Sequence, residues 1–146
     1  MAPGPLITAF GDALHPGAAK RERQLLWALR IVTAGVWLAY GVACKLCGLV
    51  PRHRAIVAAV LGPDAAAPIT LLIGAAETLM GLWILSRRWP WACAGCQTAA
   101  IVAMNALELC YARDLLLTPL GMVGANVLLL TLGWLLSWRT AAGRAA

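Results

Sequence analysis

The stretch Ile69–Ser86, ITLLIGAAETLMGLWILS, decides the fold. Its length approaches the ~20 residues a helix needs to cross the hydrocarbon of a bilayer, and Glu77 near its middle is the only charge. An ionisable side chain at that depth costs a few kcal/mol unless it is partnered, so Glu77 should have a partner and often has a task. Helical spacing puts Thr70, Gly74, Glu77 and Gly81 on one stripe. Small residues on that stripe let another helix approach closely, and Glu77 lies in the same seam.

Three further apolar runs flank this one: about Leu25–Cys44, Trp91–Cys110 and Leu120–Trp138. The chain of 146 residues is 62% hydrophobic and only 12% charged. Soluble domains run at roughly 45–50% apolar and about 25% charged, so a soluble bundle of buried helices is a poor fit. The expectation is an all-α, integral membrane four-helix bundle, running up and down with short links. The span at 69–86 is the shortest, so either it begins a few residues earlier or the local bilayer thins around it. Residues 1–24, with Pro3, Gly4, Pro5, Pro16 and Gly17, read as a flexible cytoplasmic tail, and 139–146 as a second tail. The first span has no evident cleavage motif and reads as an uncleaved signal anchor.

The net charge of +6 does not point to nucleic acid, because the cations follow the topology. Lys20, Arg21, Arg23, Arg87, Arg88, Arg139 and Arg144 fall on one side of the four spans. Lys45, Arg52, Arg54 and Arg113 fall on the other, diluted by Asp64 and Asp114. The positive-inside rule then places both termini in the cytoplasm, and tryptophans at span ends suit an interfacial belt. In the longest outer loop, Arg52-His53-Arg54 followed by Ala55–Leu61 reads as a short helix. It lies either on the outer membrane surface or over the mouth of the bundle. Pro90 and Pro119 mark helix starts.

Every span carries a polar or small stripe: Trp37, Gly41 and Lys45 in the first, Gln97, Ile101, Asn105 and Glu108 in the third, Asn126 and Gly133 in the fourth. With the termini inside, Lys45 and Glu108 end their spans on the outer side, and Glu77 lies ~12 Å below the outer start of its own span. A charge cluster is therefore expected in the outer half of the bundle, with Lys45 and Arg113 facing Glu77 and Glu108. It serves either as a pocket that binds a ligand or relays protons, or as a buried ion pair that only fixes helix register. Trp37 and Tyr40 would wall such a pocket, with Asn105 and Asn126 as further polar lining.

The string Trp37-x-x-x-Gly41-x-x-x-Lys45-Leu46, the Gly74-x-x-Glu77 step followed by Gly81-Leu82-Trp83, and the Pro119…Asn126 segment resemble the DoxX-like family of small four-span bacterial membrane proteins. The resemblance covers about Trp27 to Trp138. It implies an inner-membrane four-helix bundle, and some relatives are linked to sulfur or thiol redox chemistry, including a quinone-reducing subunit. Quinone is the cofactor this suggests, and a redox protein the partner. The site residues it carries over are Lys45, Glu77 and Asn126. The competing function is a non-catalytic scaffold or a carrier for a small solute.

Five cysteines offer a separate route to redox chemistry: Cys44 and Cys47, Cys93 and Cys96 as Cys-x-x-Cys pairs, and Cys110. Cys93 and Cys96 sit near Arg87 and Arg88 but face the reducing side. Cys44 and Cys47 face the oxidising side, where Cys110 could pair with either if the helix ends touch. The plain alternative is that cysteine packs as a small apolar residue. Zinc is excluded because the two pairs fall on opposite sides of the membrane. His15 and His53 have no histidine partner at helical spacing.

Overall fold

A computed structural model describes residues 16–145 and is all helical apart from short links. The first helix, α1 (Pro16–Leu38), runs on without a break into a π-helical segment, Ala39–Leu46. A short helix α2 (Pro51–Leu61) follows, then α3 (Pro63–Ser86), α4 (Pro90–Tyr111), a 3-10 turn (Arg113–Leu115) and α5 (Pro119–Ala145). Four helices, counting α1 with its extension as one, are long and apolar enough to cross a membrane. Proline sits at the start of α2, α3 and α4, where its missing N–H leaves no hydrogen bond unmade.

The helices overrun the apolar segments. The chain is helical from Pro16, so residues 16–24, read from sequence as tail, form an extra stretch of α1, exposed at all of 17–24 but the half-buried Ala19. Residues 1–15, the rest of that tail with His15, lie outside the described residues. At the other end α5 continues past Trp138, and Glu22 pairs with Arg139 to join the two overhangs. Both helices thus run beyond what hydrophobicity alone marks out. Helix α3 likewise begins at Pro63, ahead of the apolar run, with Pro68 inside it.

Packing follows the small-residue stripes. Thr70, Gly74, Glu77 and Gly81 are all buried on α3, against α1 and its π-helical extension. A Cβ on Gly41 would come within 2.7 Å of the Gly74 carbonyl oxygen, and one on Gly81 within 2.7 Å of Leu38 Cγ. These backbones touch because no side chain intervenes, which is how helices gain dispersion energy where lipid offers no hydrophobic drive. Helix α4 pairs with α5 by the same device: Gly133 packs on the Gln97 amide, and Asn126 Nδ2 donates to Asn105 Oδ1 at 2.7 Å. At the end bearing the termini, Arg30 of α1 donates to the Ile84 carbonyl at 2.8 Å and to Thr140 Oγ1 at 2.6 Å. Three helices are thereby tied together. Ala34, Trp37, Ile84, Cys93 and Ile101 form the core of that half.

The Arg87–Trp89 link is tight enough to force left-handed backbone on two non-glycine residues, Arg87 at φ 60° and Trp89 at φ 45°. Its carbonyls are taken up by Trp83 Nε1, which donates to Arg88 at 2.8 Å, and by Arg144, which donates to Arg87 at 2.6 Å. The short helix α2 buries Ile56 and Val57 and packs on α3, with further contact to α4 and to the π-helical segment. Its residues Arg52, His53 and Ile56 lie over the mouth of the bundle's cavity.

Candidate functional site

At the α2 end the bundle holds a cavity of about 600 Å³, walled by α1, α4, α5 and the 116–118 loop and covered by α2. The volume falls in the range of ligand pockets, roughly 300–1,000 Å³. Lys45 and Glu77 meet at its edge. Lys45 Nζ donates to both carboxylate oxygens of Glu77 at 2.7 Å, and the two residues are 8% and 5% exposed. The π-helical segment brings this about locally. Its backbone closes i to i+5, as in Cys47 N–H to the Val42 carbonyl at 2.8 Å, and the widened turn carries Gly41 against α3 and Lys45 over Glu77. Such wide turns are rare and recur at functional sites. The sequence alone suggested an ordinary helical line through Trp37, Gly41 and Lys45.

Around that pair stand most of the residues expected to form a polar cluster. Trp37, Tyr40, Asn105, Glu108 and Asn126 all line the cavity. Trp37 is fixed by its indole N–H, which donates to Gln97 Oε1 at 3.2 Å. Tyr40 lies 5.6 Å from Lys45 Nζ, measured to the ring centroid, and stacks edge-on against His53 at 5.8 Å. The Glu108 side chain forms no hydrogen bond or ion pair among the described residues, while its backbone carbonyl accepts from Ala112 N–H at 3.0 Å. Arg113, expected to face the carboxylates, is exposed on the turn after α4 and does not line the cavity. Arg52 takes that place instead, because α2 folds back over the mouth and its first turn delivers Arg52 and His53 to the cavity wall.

Both side chains show signs of an incomplete polar environment. Arg52 Nε and His53 Nδ1 are buried and lack a hydrogen-bond partner. Burial pushes His53 down to about 4, with the Lys45 ammonium and Arg52 guanidinium adding to the effect, so it is neutral near pH 7. An unpartnered buried donor costs about 1–3 kcal/mol. The site thus offers a cation donor at Arg52, a carboxylate acceptor at Glu108, a neutral imidazole and two aromatic walls. That set can hydrogen-bond a compact head bearing carbonyl or hydroxyl oxygens.

The cysteines are placed elsewhere. All five are free thiols and none lines the large cavity. Cys93 is buried beside Gln97, whose Nε2 lies 3.6 Å from its sulfur; Cys44 is half-buried, and Cys47, Cys96 and Cys110 are exposed. Cys93 instead borders a water-sized space of about 10 Å³ near Arg30, Arg87 and Ser137. Sequence reasoning missed Arg30, although a charge inside an apolar span should have carried the same signal as Glu77. Arg52 and His53 were seen only as a basic patch before a short helix, since nothing local says which way that helix folds.

These features define a multi-pass, all-α membrane protein with a partly open cavity toward one end of its four spans, apolar over much of its wall and polar under α2. The chain belongs to the DoxX-like family, whose profile matches residues 34–134. That range covers all of the cavity lining except Val32 and Thr33. No curated protein and no solved structure matches the chain.

Proposed function

We propose that this DoxX-like protein holds the head of a quinone in the cavity under α2 and serves a sulfur- or thiol-linked redox partner as an accessory or quinone-facing subunit. The observation that carries the reading is the cavity itself, lined by a buried ion pair and by a carboxylate and a guanidinium whose side chains have no partner among the described residues. A bound quinone would supply two-electron redox chemistry. The chain's own residues would bind and orient it: Arg52 donates to a ring oxygen, Glu108 accepts from a ring hydroxyl, and Trp37 and Tyr40 flank the ring. Glu108 is also placed to take or give the proton that accompanies reduction or oxidation. The Lys45–Glu77 pair keeps the wall polar and the π-helical turn in place. We further read the protein as lodged in a bacterial inner membrane, with both termini in the cytoplasm, because Arg87, Arg88, Arg139 and Arg144 gather at the termini end.

The cavity also suits a second reading, a carrier for a small solute, since one end of the bundle is hollow while the other is tied shut by Arg30. A purely structural scaffold needs only the Lys45–Glu77 pair and leaves the cavity without a role. Purified full-length protein in proteoliposomes separates these readings. Titrating decylubiquinone should quench tryptophan emission saturably, with the saturable part lost in Trp37→Phe and weakened about tenfold in Glu108→Gln. Glu108 has no partner among the described residues, so this change does not break an ion pair. Unsaturable quenching that is the same in all three proteins would sink the quinone reading, and uptake of solute into the vesicles would favour the carrier.

A further inference from the structure

The cavity reaches exposed residues on both α1 and α5. On its α1 side the wall includes Val32 and Tyr40, and on its α5 side Leu128. Val32 and Leu128 are 58% and 61% exposed although both lie well within apolar spans. Helices α1 and α5 are joined at the termini end by Arg30 with Thr140 and by Glu22 with Arg139. Beyond Arg30, toward α2, no hydrogen bond links them among the described residues, and the cavity occupies the space between them. From Val32 to Lys45 it follows the first helix for ~20 Å.

The lining changes character along that path. At the Val32 end the walls are aliphatic, with Leu128, Leu129 and Leu132 facing across from α5. At the α2 end stand Arg52 and Glu108, of opposite charge and on different helices, neither of them hydrogen-bonded through its side chain among the described residues. A water-soluble solute would leave the aliphatic half unsatisfied, and a plain hydrocarbon would leave Arg52 and Glu108 unpaired. One molecule meets both halves only if it has a compact polar head and a single apolar tail.

We propose that the α1–α5 seam is a side door to the bilayer, through which the cavity takes a single-tailed, lipid-dissolved molecule head first. The head reaches Arg52 and Glu108 under α2, and the tail stays in the seam between Val32 and Leu128. This rests on the ligand-site reading above and adds the route and the orientation. Lateral access also accounts for α2 lying over the bundle mouth, where it would obstruct a ligand arriving from water.

Full-length protein in phosphatidylcholine vesicles is photolabelled with two ubiquinone analogues, one with a diazirine next to the ring and one with it at the tail end. Labelled positions are read by peptide mass spectrometry, with and without excess unlabelled decylubiquinone. The expected result is ring labelling near Arg52 and Glu108 and tail labelling near Val32 and Leu128, both suppressed by the competitor. Val32→Trp with Leu128→Trp should plug the seam and cut ring labelling at least tenfold. Val32→Phe replaces the pair if the double variant fails to insert. Ring labelling in the cavity with tail labelling elsewhere overturns the side door and leaves the quinone site standing. Seam labelling that the competitor does not suppress, or that a tail-labelled phosphatidylcholine reproduces equally, also overturns it. Absence of competable labelling by either analogue removes both proposals.

Discussion

Breaking the Lys45–Glu77 pair tests the logic of the bundle most directly. At 2.7 Å, two unit charges attract by roughly 6 kcal/mol at an effective dielectric of about 20. Removing two ions from water costs several kcal/mol each, so the pair as a whole contributes little net stability. Half a pair is another matter. Lys45→Met leaves a buried carboxylate without its partner, and Glu77→Leu leaves a buried ammonium without a hydrogen-bonded counter-ion, with the Tyr40 ring and, across the cavity, Glu108 as its neighbours. Each single change should cost about 3–5 kcal/mol of unfolding free energy. The double change, Lys45→Met with Glu77→Leu, should return to within about 1 kcal/mol of the parent, because both charges leave together and the replacements have similar bulk. Unfolding in bicelles by titration with a denaturing detergent, followed by far-ultraviolet circular dichroism, gives the three free energies. A coupling of at least about 2 kcal/mol is expected from the cycle. Single variants that each lose less than about 1 kcal/mol, or a double variant whose loss is the sum of the singles, would refute the reasoning.

Other consequences are as concrete. Gly41→Ala should cost about 1–3 kcal/mol, because its methyl meets backbone at 2.7 Å and the helices must part, while Gly95→Ala, with open space around it, should be neutral or gain up to about 1 kcal/mol. Thermal melting in detergent distinguishes the two. His53 is pushed from the usual histidine value of 6.5 to about 4 in the fold, so its contribution to stability is fully present above pH 6.5 and is lost as pH falls toward 4. Melting temperature should therefore fall more steeply between pH 6.5 and 4 in the parent than in His53→Gln. Tyr40, Lys45, Arg52 and Glu108 line the same cavity in both proteins, so the difference isolates His53, and parallel curves would contradict it. Replacing Cys93 by Ala and the other four cysteines by Ser should leave the decylubiquinone midpoint within about twofold, since no cysteine lines the cavity. A tenfold weakening would return the thiols to the mechanism.

Much of the site was legible because membrane burial makes charge conspicuous. Glu77 in an apolar run demanded a cation, and Lys45 was the one span-end lysine able to reach it. The Thr70, Gly74, Glu77 and Gly81 stripe is buried as the spacing implied, since helical periodicity within one element needs no knowledge of its neighbours. Asn105 and Asn126 were each placed on inward stripes, and they meet. Where local reasoning reached the end of a helix it weakened. Arg113 was taken as the further cation from its position beside the third span, yet the turn points it outward.

By itself the sequence determined a four-span, all-helical membrane protein with an inward carboxylate and a lysine to match, because length, hydropathy and spacing act residue by residue. Only the tertiary structure decided that α2 lies over the bundle mouth and presents Arg52 and His53, that the first helix widens into a π-turn to seat Lys45, and that a cavity remains between α1 and the α4–α5 pair. Those outcomes depend on how separate helices fit. Glycine contacts hold α1 against α3 and asparagine and glycine contacts hold α4 against α5, and the mismatch between the two pairs leaves the hollow. A space between surfaces has no signature in any one segment of chain.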